Sequence, residues 1–234
     1  MSTIAENIAN IRARMNEAAK KAGRDPSEIL LCAATKMNDA DRVKEAVAAG
    51  VDCCGENRVQ ELLEKQPQGA YEGAPVHFIG HLQTNKVKQV VGRVDLIESV
   101  DRTELLECVE KQAAKLDLVQ DILLEVNIGA EESKSGFTPA EAAALAARMA
   151  DFPHTALKGL MAIPPVSEFP GENCRYFAEM RNLFVDISAK KYDNVSMDCL
   201  SMGMRGDYPD AIREGATLVR VGTAIFGARN YNKV

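Results

Sequence analysis

The sequence predicts an α/β protein folded as a single (β/α)8 TIM barrel with an extra N-terminal helix. Three observations lead there. Short apolar, β-rich runs alternate with amphipathic helical segments from about residue 29 to about residue 227. The β-rich runs number eight, the count that closes a parallel barrel. No Pro/Ser-rich linker, low-complexity tract or charge block interrupts them, so residues 1–234 are expected to form one unit. A doubly wound open sheet would alternate in the same way. Such sheets usually carry a Gly-rich phosphate fingerprint after the first strand, and this chain has none there.

Residues 1–23 place Ile4, Ile8, Ile11 and Met15 at helical spacing with charges between them, the pattern of an amphipathic helix packed on the barrel. The expected strands are Ile29–Lys36, Val51–Asn57, His77–Gly80, Asp95–Val100, Asp121–Asn127, Leu157–Ile163, Val195–Ser201 and Leu218–Gly227. Between them "DADRVKEAVAAG" closes on Gly50, "RVQELLEKQ" stops before Pro67, "TNKVKQVVG" closes on Gly92, and "RTELLECVEKQAAKL" follows the fourth strand. "TPAEAAALAARMA" has Thr138 to cap it and Pro139 at its first position. A long helix, "NCRYFAEMRNLFVDISAKK", and a short one, "YPDAIREG", complete the set.

Against 34 acidic residues stand 28 basic ones, a net charge of −6 with no local basic patch, which argues against nucleic acid and anionic lipid as partners. The first residues lack the apolar core of a signal peptide, and no apolar run approaches the roughly 20 residues that span a bilayer. A cytoplasmic protein is expected. Six cysteines lie mostly within apolar runs such as "ILLC" and "VDCCGEN" and are expected to be reduced. Of the three histidines, His77, His81 and His154, the first two stand four apart but on and just past an expected strand rather than a helix, so no metal site is expected.

Chemistry in such a barrel belongs at the C-terminal ends of the strands. There this sequence puts Lys36, Glu56–Asn57, Gly80–His81, Asn127, Met161, Ser201–Met202–Gly203, and Arg220 with Gly222–Thr223. Lys36 has two readings: it snorkels to solvent, or its amine, desolvated in a barrel mouth, loses its proton more readily and condenses with a carbonyl. Ser201 and Gly203 in "SMGM", with Gly222 and Thr223 in "VGTAIFG", stand where the fold usually cradles phosphate, although either stretch alone could be a turn. Arg220 interrupts the apolar run "TLVRVG" and needs a buried acceptor. It either pairs with Glu125 or Asp198, or donates to a ring nitrogen of a bound heteroaromatic; spacing leaves both open.

Lysine, phosphate cup and arginine together resemble the pyridoxal 5′-phosphate (PLP) barrel of the alanine racemase type. More closely, the chain is similar to the YggS/PROSC family of PLP homeostasis proteins. The matching stretches are "AATKM" around Lys36, "GENRVQE" at 55–61, "HFIGHLQTNKVK" at 77–88, "ESVDR" at 98–102, "EVNIG" and "KSGF" within 125–137, "LKGLMAIPP" at 157–165, "LSMGMRGDYPDAIREGAT" at 200–217 and "VRVGTAIFGAR" at 219–229. Together they cover nearly the whole chain. The resemblance implies that Lys36 holds PLP as a Schiff base, that Ser201, Gly222 and Thr223 take the phosphate, and that Arg220 faces the pyridine nitrogen. Asn57, His81 and Met161 would line the ring pocket, with Met202 and Gly203 beside the phosphate. The family often has a second lysine two positions after the first, where this chain has Asn38. Lys134 matches a lysine associated with a secondary PLP site.

The implied function is PLP binding in intracellular PLP homeostasis with little or no turnover, in exchange with PLP-dependent apoenzymes or amino acids. A permanent cation against the ring nitrogen makes the ring a poorer electron sink. The alternative is a PLP-dependent, racemase-like enzyme; a cofactor-free Schiff-base aldolase would share the lysine and the phosphate cup. Alanine racemases complete their site with a tyrosine from an added β-domain across a dimer. Here the sequence stops at Val234, and none of its five tyrosines, Tyr71, Tyr176, Tyr192, Tyr208 and Tyr231, falls at a strand end, so a monomer is expected.

Overall fold

Each strand pairs in parallel with the next, and the eighth returns to the first, so the sheet closes without an edge. The computed structural model describes residues 2–131, 134–166, 169, 171–204 and 206–227. The strands are β1 (Leu30–Ala34), β2 (Cys53–Glu56), β3 (Val76–Phe78), β4 (Leu96–Val100), β5 (Gln120–Val126), β6 (Thr155–Ala162), β7 (Val195–Ser201) and β8 (Leu218–Val221). The helices are α1 (Ile4–Lys21), α2 (Ala40–Ala48), α3 (Val59–Lys65), α4 (Thr103–Lys115), α5 (Pro139–Ala146), α6 (Cys174–Lys190), α7 (Tyr208–Arg213) and α8 (Thr223–Phe226).

Alternation along the strands builds two cores. Leu31, Ala33, Cys54, Phe78, Ile97, Leu124, Leu160 and Val219 face outward and pack under the helices. Cys32, Cys53 and Leu218, and separately Leu96, Leu123 and Met161, fill the barrel interior. All six cysteines are free thiols, as their setting in apolar runs suggests. Thr3 starts α1 with a capping box: its side chain accepts from the Glu6 N–H while the Glu6 carboxylate accepts from the Thr3 N–H. The buried stripe Ile4, Ile8, Ile11, Met15 then lays α1 against α2, α7 and α8, so the helix spans the seam between the first and last units. No helix among the described residues is long and apolar enough to cross a membrane.

Six of the eight strands end earlier than the sequence suggests, and the shifts of β1 and β8 shape the mouth. β1 stops at Ala34: the Thr35 N–H still donates to the Gly55 carbonyl at 2.9 Å, but Met37 turns left-handed with φ 60 and takes Lys36 out of the ladder. β8 stops at Val221 instead of running to Gly227. Gly222 accepts from the N–H groups of Ile225 and Phe226 at 2.8 and 3.0 Å, so Thr223–Phe226 coils into α8. "TNKVKQVVG" forms a 3-10 segment, Thr84–Gln89, rather than an α-helix.

Candidate cofactor site

An ion-paired cluster occupies the barrel interior beneath the mouth. The β4 sequence "LIESV" puts Glu98 on the inward face, with no solvent exposure. Its Oε1 lies 2.7 Å from His77 Nδ1 on β3. Its Oε2 accepts from the Ser201 hydroxyl on β7 at 2.6 Å and lies 3.6 Å from Arg220 Nη1 on β8. Burial pushes the Glu98 carboxyl up, but the His77 hydrogen bond and charge, the Arg220 charge and the Ser201 hydrogen bond outweigh it and leave the group below the ordinary carboxylate value.

Arg220 on β8 is thereby tied to three other strands. Besides Glu98 on β4, Nη1 donates to the Ser201 carbonyl at 3.0 Å and to the Ser201 hydroxyl, and Nη2 donates to the Ala162 carbonyl on β6 at 3.0 Å. The carboxylate partners the sequence suggested are corrected here. Asp198 is exposed on β7, Glu125 stands nearer the mouth, and Glu98 takes the pair instead. The pattern did carry a clue: "LIESV" interrupts an apolar strand with an acid as "TLVRVG" does with a base.

At the mouth, Lys36 is half-buried in the turn after β1. The Asn38 side-chain amide donates to the Lys36 carbonyl at 3.1 Å and braces this turn. Gly222 closes against it from β8: an added Cβ there would lie 3.1 Å from the Ala34 carbonyl oxygen and 3.3 Å from the Ala34 Cβ. The exits of β1 and β8 therefore touch, bringing the Gly222–Thr223 backbone beside the Lys36 turn. Gly203 has φ 89 and would drive a Cβ to within 2.5 Å of the Ala211 Cβ, while its carbonyl accepts from the Arg220 N–H at 3.0 Å.

The remaining predicted residues divide. Asn57 and His81 meet on the wall of a mouth cavity of about 250 Å³, with Glu125, Asn127, Lys134 and Ile163. Asn57 Oδ1 is buried there without a hydrogen-bond partner among the described residues. His81 Nδ1 lies 3.0 Å from Asp101. Met161 lies deeper, packed on Leu96 and Leu123, and Met202 turns its side chain into the helix-facing core. Lys134 donates to the Pro164 carbonyl at 3.1 Å and pairs with Glu131. Sequence reasoning missed His77, Glu98 and Glu125 as site residues. Burial, then the Asp101 charge, pushes Glu125 up to about 7 against the pull of Arg220. In the matching stretches, Arg205, Arg229 and residues 132–133 lie outside the described residues, as does Tyr231.

The closed parallel barrel, with a lysine just past its first strand and a buried arginine on its eighth, is of the alanine racemase class. The family model described as "Alanine racemase, N-terminal domain" matches residues 2–230. Within that class the chain belongs to the family of pyridoxal phosphate homeostasis proteins. It is 44% identical over 232 residues to the "Pyridoxal phosphate homeostasis protein" of Pseudomonas aeruginosa PAO1, covering 99% of this chain and 98% of that one. It is 41% identical over 226 residues to the protein of the same name from Aquifex aeolicus VF5, covering 97% and 98%. PipY of Synechococcus elongatus PCC7942, solved with PLP bound, superposes with a TM-score of 0.82 at 32% identity over 96% of this chain and all of that one (100%).

The residues present fit PLP. Gly222 leaves backbone uncovered where an added Cβ would press tightly on Ala34, 3.1 Å from its carbonyl oxygen, and Asn57 offers a buried oxygen in need of a donor. Arg220 presents a guanidinium that can only donate.

Proposed function

We propose that this protein binds PLP covalently through Lys36 and serves intracellular PLP homeostasis, exchanging the cofactor with PLP-dependent apoenzymes or amino acids, with little or no turnover of its own. The observation that carries the reading is the bare Gly222 backbone set against Ala34, beside the Lys36 turn, with an Arg220 fixed to Ser201 and Ala162 beneath the mouth. When bound, PLP supplies an aldehyde that a lysine amine can capture and a ring that withdraws electrons.

The chain's own residues do the rest. Lys36 provides the nucleophilic amine. Gly222 and Thr223 offer main-chain N–H groups and one hydroxyl to a phosphate, with Gly203 keeping α7 close to the same rim. Asn57 and His81 wall the mouth. Arg220, paired with Glu98, has donors and no acceptor, so a ring nitrogen facing it would have to accept. This arrangement favours holding the cofactor over driving carbanion chemistry.

Among the described residues, no tyrosine lines the mouth cavity. Tyr71 donates to Glu56 at 2.9 Å, and Tyr208 is buried behind Gly203. A racemase-like reading rests on one observation, Glu125, a carboxyl titrating near neutrality at the mouth that could move a proton. In the proposed reading the protein acts as a monomer in the cytoplasm.

The test is an absorption spectrum of purified protein with and without added PLP, alongside Lys36→Ala. A visible band that the variant lacks is the expected result; a wild-type protein that shows no such band ends the proposal. Turnover of L-alanine or another amino acid at about 1 per second or faster would favour the racemase instead.

A further inference from the structure

Beneath the turn that carries Lys36 lies a second buried ionic cluster, on the helix side of the sheet. Lys65, the last residue of α3, is 5% exposed and donates to the Thr35 carbonyl at 3.0 Å, to Glu56 Oε1 at 2.7 Å and to Glu61 Oε2 at 3.0 Å. The same Glu61 Oε2 accepts from the Met37 N–H at 2.6 Å. Glu56 Oε1 also receives the Thr35 hydroxyl at 2.6 Å and the Tyr71 hydroxyl at 2.9 Å, which anchors the cluster to β2.

Thr35 and Met37 flank Lys36. The peptide group before the lysine is held through its carbonyl by Lys65, and the one after it is held through its N–H by Glu61. Met37 is meanwhile kept at φ 60, a conformation a side chain adopts reluctantly. A lysine at the end of a helix ordinarily reaches for solvent. This one is buried between two carboxylates, and what it holds in place is the backbone of another lysine.

We propose that Lys65 and Glu61 are positioning residues for Lys36: by fixing both adjoining peptide groups they aim its side chain at the mouth and set the rates at which it captures and releases an aldehyde cofactor. Capture joins the Lys36 nitrogen to the aldehyde carbon and expels the oxygen as water with both amine protons; release adds one water back. Fixing the backbone leaves only the side-chain torsions to be ordered before attack, which is where positioning speeds a bond-forming encounter. The proposal rests on PLP binding at Lys36.

Glu61→Ala removes the acceptor, and Glu61→Gln keeps a weaker, neutral one. Three quantities are read: growth of the visible band on mixing with PLP, its transfer to an excess of a PLP-dependent apoenzyme, and hydrogen exchange at the Met37 amide without cofactor. Relative to wild type, Glu61→Ala is expected to capture PLP about tenfold more slowly and Glu61→Gln about threefold, with Met37 exchange accelerating in the same order. Wild-type capture, transfer and exchange rates in Glu61→Ala, whatever happens to its melting temperature, would reduce the cluster to a structural role and overturn the proposal. Should Glu61→Ala not fold, unchanged rates in Glu61→Gln overturn it equally. If wild-type protein shows no PLP-dependent band, the functional reading itself fails; a wild-type band with unaltered variants sinks only the positioning role.

Discussion

Glu98 and Arg220 face each other across the barrel from opposite strands, β4 and β8, 3.6 Å apart, with the Ser201 hydroxyl touching both. Neither charge has water to fall back on. The pair is thus both a structural strut and the reason a guanidinium can be kept beneath the mouth.

Removing one partner leaves the other buried and uncompensated. Glu98→Ala is expected to lower unfolding stability by about 3–5 kcal/mol, measured by urea denaturation. Glu98→Gln, which still accepts from Ser201, should lose less. A Glu98→Ala variant as stable as wild type would show that water reaches the interior.

Lys36 lies in a turn outside the β1 ladder, half-buried. Lys36→Ala should stay within about 1 kcal/mol of wild type in urea while losing the PLP-dependent visible band completely. Loss of the band together with the fold would show that the lysine is structural.

Glu125 titrates near pH 7 when folded, against an ordinary 4.5, because it is buried beside Asp101. The folded protein thus holds a proton that the unfolded chain gives up between those values. Stability from this group is fully present below about pH 4.5 and is lost as pH rises through about 7. Between about pH 5 and about pH 8 the cofactor-free protein should lose at most about 3 kcal/mol through Glu125, and Glu125→Gln should remove that slope in denaturation curves.

Gly203 combines φ 89 with a Cβ position 2.5 Å from the Ala211 Cβ. Gly203→Ala therefore has to push α7 outward, at a cost of about 1–3 kcal/mol, and should weaken PLP retention by displacing the loop after β7. Melting temperature and equilibrium dialysis with PLP check the two effects separately.

The barrel was legible because the alternation of β-rich and helical segments is a local signal, and all eight strands appear near their expected positions. Part of the mouth was legible for a related reason: strand ends carry the chemistry, and of the residues expected there Asn57, His81 and Asn127 line the mouth cavity. Arg220's partner was not legible. Which residues meet across a barrel depends on strand tilt and stagger, which composition does not encode, so Glu98 was passed over for Glu125 and Asp198. Lys65 gave no sign at all, since "QELLEKQ" reads as an ordinary solvated helix face. Its burial arises from the descent of Glu56 and Tyr71 onto the same spot.

The placement of α1 has a consequence for synthesis. Its apolar stripe, Ile4, Ile8, Ile11 and Met15, is buried partly against α7 and α8, which begin some 200 residues later at Tyr208 and Thr223. At ribosomal speed, that partner arrives on the order of ten to forty seconds after the stripe emerges. Until then the first helix is an adhesive amphipathic segment on a nascent chain, and the order of translation makes it the last wall to be sealed.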